Sequence, residues 1–114
     1  GLPWSHRHNV LRCEPEDRRR VSRFLTVERP DALVSGNDVA AATLKGTLEA
    51  VKKGAGVRLA GFDDVAVAAQ LGLTTCRQPL DDLAHVAYQT LLQRIKAPHL
   101  PPRTILLPAP LVVR

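Results

Sequence analysis

The sequence predicts an α/β domain built as a three-layer sandwich, with a parallel sheet between two layers of helices. Short apolar runs without polar alternation, typical of strands buried on both faces, recur along the chain. Between them lie segments whose apolar residues recur every three or four positions, as in amphipathic helices. Because the two patterns alternate, we expect a parallel sheet with right-handed crossover connections.

The helices follow from this periodicity and from the residues at their ends. A helix can begin at Pro15, since proline is acceptable in a first turn. The turn at residues 36–38 supplies an N-cap for a second helix, which Gly54 ends. Pro98 closes the last helix. The predicted helices cover residues 15–27, 39–53, a short alanine-rich stretch that ends at Gln70, and residues 80–95.

The strands follow from the apolar runs between the helices. Predicted strands cover residues 9–12 (a weak candidate), 32–35, 57–62, 73–77 and 104–113. Pro108 and Pro110 cannot donate a backbone hydrogen bond, so they confine the last strand to an edge or a bulge.

The composition is that of a folded domain, with 45% hydrophobic and 24% charged residues in a chain of 114. No apolar run approaches the roughly 20 residues that span a bilayer, and the N-terminus lacks the layout of a signal peptide. Because the sequence contains no Met, we expect it to be a piece of a longer protein. The two cysteines, Cys13 and Cys76, are too few and too far apart for a disulfide scaffold, and free thiols in a cytosolic protein are favoured.

The net charge of +5 raises the question of nucleic-acid binding. Much of this charge lies in residues 14–23, where acidic residues come first and arginines follow. In a helix, this order matches the macrodipole and allows i,i+4 pairs between Glu14 and Arg18 and between Glu16 and Arg20. A solvated helix face is favoured over a phosphate-binding patch, and no helix-turn-helix, zinc-finger or RNP pattern is present.

Candidate ligand-binding residues follow two of the predicted strands. In open parallel sheets, ligands bind beyond the carboxyl ends of the strands. Asn37 and Asp38 come after one apolar strand, and Asp63 and Asp64 come after another. An amide and a carboxylate there can each bind two neighbouring hydroxyls, as in a sugar or a ribose. We interpret Asp38 and Asp64 as N-caps, and Asn37 and Asp63 as ligand-binding residues.

Enzymatic and metal-binding alternatives are weaker. Two adjacent aspartates at a strand end are typical of magnesium sites in phosphoryl-transfer domains, but the following strand end offers no lysine. No nucleophile elbow or phosphate-binding glycine loop is present. His6 and His8 with Cys13 lack a fourth ligand for a metal site, and Trp4 alone is little support for sugar stacking. We therefore expect no catalysis, no cofactor and no metal.

Four motifs occur in chain order: RPDALVSGND (29–38), VRLAGFDD (57–64), LTTCRQPL (73–80) and LLPAPLVVR (106–114). Together they resemble the effector-binding domain of LacI/GalR-family transcription regulators. The resemblance implies one subdomain of a periplasmic-binding-protein-like fold, with effector bound between two subdomains. It implies Asn37, Phe62 and Asp63 as ligand-binding residues.

The resemblance also implies a domain organisation and partners. Residues 1–78 would form the C-terminal effector-binding subdomain, residues 79–100 a crossover helix that packs on an absent N-terminal subdomain, and residues 101–114 a returning strand. The protein would be a cytoplasmic homodimer that binds a sugar or nucleoside-like effector and reaches DNA only through a missing N-terminal helix-turn-helix domain, with no membrane partner. A periplasmic sugar-binding protein of a transport system is the alternative.

Overall fold

A computed structural model describes residues 10–114. Four α-helices and four short strands alternate along this part of the chain. The helices are α1 (Arg18–Glu28), α2 (Asp38–Ala50), α3 (Ala66–Gln70) and α4 (Leu80–Lys96), and a 3-10 turn, Lys52–Gly54, follows α2. The strands are β1 (Ala32–Val34), β2 (Arg58–Ala60), β3 (Thr75–Cys76) and β4 (Leu111–Val112).

The small sheet is parallel except at its last strand. β1 pairs with β2 in parallel, with Leu33 opposite Leu59. A parallel bridge between Ala60 and Thr74 continues this arrangement to β3. β4 runs antiparallel to β3, so the expectation of a wholly parallel sheet is wrong at this edge. The structure supports mixed helices around a small parallel sheet, and the predicted three-layer sandwich is not confirmed.

Helix α1 begins at Arg18 rather than at Pro15, because Asp17 takes the N-cap position. The Asp17 carboxylate accepts a 3.0 Å hydrogen bond from the Arg20 backbone N–H. The residues before it form a turn, so the i,i+4 pairs predicted for Glu14 and Glu16 do not form within residues 10–114; Arg20 instead lies 3.7 Å from Asp17.

The observed strands are all shorter than predicted, and two of the predictions differ most from the structure. Residues 10–12 form no strand, and Asn9 lies outside the described residues. The last strand is limited to Leu111–Val112 instead of residues 104–113. Pro108 and Pro110 explain the shortening, since a residue without an N–H cannot continue a ladder of hydrogen bonds.

Among residues 10–114, two small apolar clusters make up the core, and Leu59 of β2 packs against both. One contains Val21 and Leu25 of α1 with Leu48 of α2. The other contains Ala41, Ala68 and Leu73. Both clusters lie among residues 11–73, so the core fixes β1, β2 and the first three helices against one another.

Helix α4 takes no part in this core, since none of its residues is buried. Leu80, Leu91 and Ile95 are each more than half exposed. Within residues 10–114, no helix combines the length and the apolarity needed to cross a bilayer.

Candidate ligand-binding site

The carboxyl ends of β1, β2 and β3 are joined by backbone hydrogen bonds that extend beyond the strands. The Asp38 N–H donates to the Phe62 carbonyl at 2.9 Å, and the Asp63 N–H donates to the Cys76 carbonyl at 2.9 Å. The loops at residues 35–38, 61–64 and 76–78 therefore lie side by side. The polar residues that follow the three strands are brought to one edge of the sheet.

Asn37 is the N-cap of α2 and is exposed. Its side-chain oxygen accepts a 2.7 Å hydrogen bond from the Ala40 N–H, which satisfies one of the free donors at the helix start. Its side-chain amide nitrogen makes no hydrogen bond to residues 10–114 and remains available as a donor. The cap thus uses the side-chain oxygen of Asn37 and leaves its side-chain NH₂ group for a ligand.

Asp38 is fully buried, and the interpretation of this residue as an N-cap is wrong. Its two oxygens accept hydrogen bonds from the Val65 N–H at 2.9 Å and the Thr75 hydroxyl at 2.7 Å. The carboxylate therefore ties the start of α2 to the loop before α3 and to β3. The cap position was misassigned because Asn37 and Asp38 are equally good capping residues and only the observed register separates them.

Gly61 makes this buried contact possible. A Cβ at this position would lie 2.1 Å from Oδ1 of Asp38 and 2.9 Å from a methyl group of Leu73. Any larger residue would push the carboxylate away from Thr75. The glycine of the Gly-Phe-Asp-Asp motif is thus required by close packing beneath the site.

Asp63 and Asp64 both have left-handed backbone conformations, with φ of 114° and 60°. Positive φ is uncommon in residues other than glycine, although aspartate tolerates it better than most. Such conformations cost about 1–3 kcal/mol each and persist where the surroundings enforce them, often at ligand-binding sites. Here the Asp63 carboxylate is half-buried and accepts a short hydrogen bond from the Gln78 side-chain amide.

Asp64 forms two ion pairs instead of an N-cap, so that interpretation is also wrong. Its side chain is 5% exposed and lies 2.6 Å from both Arg77 Nε and Arg114 Nη2. Hydrogen bonds from Arg114 and Arg77 lower the pKa of this carboxyl below its usual value, against the opposing effect of desolvation. Helix α3 begins after Val65 without a side-chain cap.

Phe62 precedes these two aspartates and is 37% exposed. Its carbonyl is the acceptor for Asp38, which fixes its backbone between β1 and β3. A partly exposed ring beside amides and a carboxylate is a common combination in small-molecule sites, where an apolar surface and a few polar groups share the binding.

The sequence analysis did not include Gln78 among the candidate ligand-binding residues. The structure places it beside Asp63, and it follows the third strand just as Asn37 and Asp63 follow the first two. The strand-end rule, applied to all three strands, would have identified it. Arg77 and Arg114 gave no comparable signal, because their contact with Asp64 spans 13 and 50 residues along the chain.

A cavity of about 550 Å³ lies elsewhere, near the amino ends of β2 and β3. It is lined by Leu48, Leu59 and Leu73 together with Lys45 and Lys52. Ligands of open parallel sheets bind at the opposite, carboxyl ends. We therefore assign the candidate site to the edge that carries Asn37, Asp63 and Gln78.

Two further expectations concern a metal site and the two cysteines. His6, His8 and Trp4 lie outside the described residues. Among residues 10–114, no group of three or more His, Cys, Asp or Glu side chains is placed to hold a metal ion. Cys13 and Cys76 are both free and half-buried. Burial, reinforced by the negative charge of Asp17, raises the pKa of the Cys13 thiol.

Comparison with known proteins identifies a family. The model of a family described as periplasmic binding protein-like domain matches residues 4–114. No curated protein and no solved structure matches the chain.

Proposed function

This chain belongs to the periplasmic binding protein-like domain family, and we propose that it forms one wall of a cleft that binds a sugar or nucleoside-like molecule. Domains of this family are generally non-enzymatic and bind small-molecule ligands. The proposal assigns ligand-binding roles to Asn37, Phe62 and Asp63, and adds Gln78.

One observation carries the proposal: an amide, a carboxylate and a second amide follow three adjacent strands whose loops are hydrogen-bonded together. Asn37 and Gln78 offer donors, and the carboxylate of Asp63 accepts. Neighbouring hydroxyl groups can donate to the carboxylate and accept from the amides. The exposed ring of Phe62 supplies an apolar surface for the carbon skeleton.

We further propose that the intact protein is a cytoplasmic LacI-type regulator that acts as a homodimer. The four motifs in chain order support this assignment over a transport binding protein. Sequence-specific DNA binding would then belong to a helix-turn-helix domain outside this sequence. Reading the gene upstream of the codon for Gly1 separates the two assignments: a helix-turn-helix supports the regulator, and a signal peptide supports the transport protein.

Calorimetric titration with free pentoses, hexoses and nucleosides tests the site in the intact protein. Asp63→Ala should weaken the binding of the sugar that the wild type binds by roughly ten- to a hundredfold, because a hydrogen bond to a charged group is worth about 1.5–3 kcal/mol. Asn37→Ser should also weaken binding, since serine keeps the cap but removes the amide donor. Asp31→Ala, at an exposed position outside the site, is the matched control.

The titration can contradict the proposal in two ways. If the wild type binds no member of the panel, the sugar-like ligand class is wrong. If Asp63→Ala binds with wild-type affinity and an unchanged circular dichroism spectrum, Asp63 does not contact the ligand.

A further inference from the structure

Three segments of the chain meet at the carboxylate of Asp64. The carboxylate itself belongs to the loop after β2, Arg77 follows β3, and Arg114 follows β4. Arg77 and Arg114 each lie 2.6 Å from one of its two oxygens. The Asp64 side chain is 5% exposed, whereas that of Arg77 is 60% and that of Arg114 is 22% exposed. Arg114 is thus the better shielded of the two cations.

Arg114 is also held by contacts of its own with the residues that directly precede β3. Its Nη1 donates to the Leu73 carbonyl at 3.1 Å. Its backbone N–H donates to the Thr74 hydroxyl at 3.2 Å, and the same hydroxyl lies 3.3 Å from its carbonyl oxygen. Both terminal guanidinium nitrogens are therefore engaged, and the residue is fixed relative to β3 at its backbone and its side chain.

The loop that Arg114 contacts contains the two consecutive residues with positive φ. Asp64 adopts this conformation directly after Asp63, so a displacement of the Asp64 backbone also changes the backbone of Asp63, with which it shares a peptide bond. Conformations of this kind need to be imposed by their surroundings. The Cys76 carbonyl and the Gln78 side-chain amide hold Asp63 itself, and the two arginines hold the side chain of Asp64.

We propose that Arg114 is a positioning residue of the ligand-binding site, which acts through Asp64 to hold Asp63 in the conformation that meets the ligand. This inference rests on the proposed function. Arg114 does not itself contact the ligand, because its guanidinium is committed to Asp64 and Leu73. The last strand of the fold thereby contributes to binding although it carries no ligand-binding residue.

Amide hydrogen exchange in the full chain tests the inference without any ligand. In Arg114→Ala, the Asp63 amide should exchange about tenfold faster than in the wild type, because the loss of a charge-assisted hydrogen bond favours local opening. The Ala41 amide, in the buried part of α2, should keep its wild-type rate. Arg114→Lys should restore part of the protection at Asp63. Arg103→Ala removes a cation that contacts α4 and should leave both amides unchanged.

Titration with the sugar that the wild type binds completes the test. Arg114→Ala should weaken binding by about tenfold, with partial recovery in Arg114→Lys. Unchanged exchange at Asp63, equally faster exchange at Asp63 and Ala41, or unchanged affinity would each overturn the positioning role. If exchange at Asp63 alone becomes faster but the wild type binds no sugar, the positioning of Asp63 stands and the proposed function fails.

Discussion

Asp38 shows how a single buried carboxylate can join three elements beneath a binding site. Its partners, the Val65 N–H and the Thr75 hydroxyl, lie 27 and 37 residues further along the chain. A buried polar group is costly unless it is hydrogen-bonded, and both Asp38 oxygens have a partner. The same contacts set the spacing between β3 and the loops at the sheet edge.

Removing this carboxylate should destabilise the fold strongly. Asp38→Ala leaves the Val65 N–H and the Thr75 hydroxyl without their partner and should lower the free energy of unfolding by about 2–4 kcal/mol. Urea denaturation followed by circular dichroism measures the loss. Glu49→Ala, which removes an exposed carboxylate paired with Lys45, should change stability by less than about 1 kcal/mol. Equal effects of the two substitutions would show that the Asp38 contacts contribute little.

The pKa of Asp64 makes part of the stability depend on pH. Because the pKa in the folded protein is lower than the value of 3.8 for a free side chain, the folded state favours the ionised form. This contribution is fully present above that value and is lost as the pH falls through the folded pKa. Asp64→Asn should therefore be less stable than the wild type at neutral pH, and the difference should shrink in strong acid. Urea midpoints measured across this range check the expectation, and a difference that stays constant down to strong acid would contradict it.

At the scale of elements, local patterns predicted which segments are helices and strands, and long-range contacts decided their ends. The helical periodicity of residues 15–27 correctly identified α1, in which Val21 and Leu25 are buried, and the apolar run at residues 32–35 correctly identified β1. The sequence did not reveal that Asp17 rather than Pro15 would begin α1. It also placed Asn37 and Asp63 at strand ends but missed Arg114, because no local pattern predicts a contact with Asp64 across 50 residues.

Two glycines of the α2 region should respond in opposite ways to the same substitution. A Cβ at Gly54 would lie 2.1 Å from the Leu48 carbonyl oxygen, so Gly54→Ala should force the 3-10 turn away from α2 and cost about 1–3 kcal/mol. A Cβ at Gly46, inside α2, meets nothing within 4 Å, and Gly46→Ala should stabilise the protein by about 0.5–1 kcal/mol. Thermal unfolding of both variants tests the pair. A stabilised Gly54→Ala variant would mean that the turn does not pack closely on α2.

At the scale of the whole molecule, the described chain is elongated. Its radius of gyration is 18.1 Å and its longest dimension is 58 Å, whereas a compact domain of this length has a radius near 13 Å. Helix α4 accounts for much of the difference, since 17 residues of helix extend about 25 Å. The predicted division of the chain, in which residues 79–100 pack on another subdomain, stays a prediction. It would explain why α4 is exposed.

The apolar side of α4 leads to the last prediction. Leu83, Val86 and Leu91 line an open groove of about 440 Å³ with Ile105 and Leu107 of the returning segment. Apolar surface of this kind is rarely left in water by a soluble monomer. Full burial of one such side chain stabilises a complex by about 1.5–3 kcal/mol. In the 114-residue chain taken by itself, we expect a second copy of the chain to cover the groove, in the place that the N-terminal subdomain would take in the intact protein.

Light scattering at micromolar concentration should therefore report a dimer of the wild-type chain. Leu91→Glu places a charge in the groove and should give monomers or aggregates, since an unpaired buried charge opposes association. Gln89→Glu adds the same charge to α4 outside the groove and should remain dimeric. A wild-type chain that stays monomeric and does not aggregate would exclude self-association. The exposed leucines of α4 would then be stable in water without a second copy to cover them.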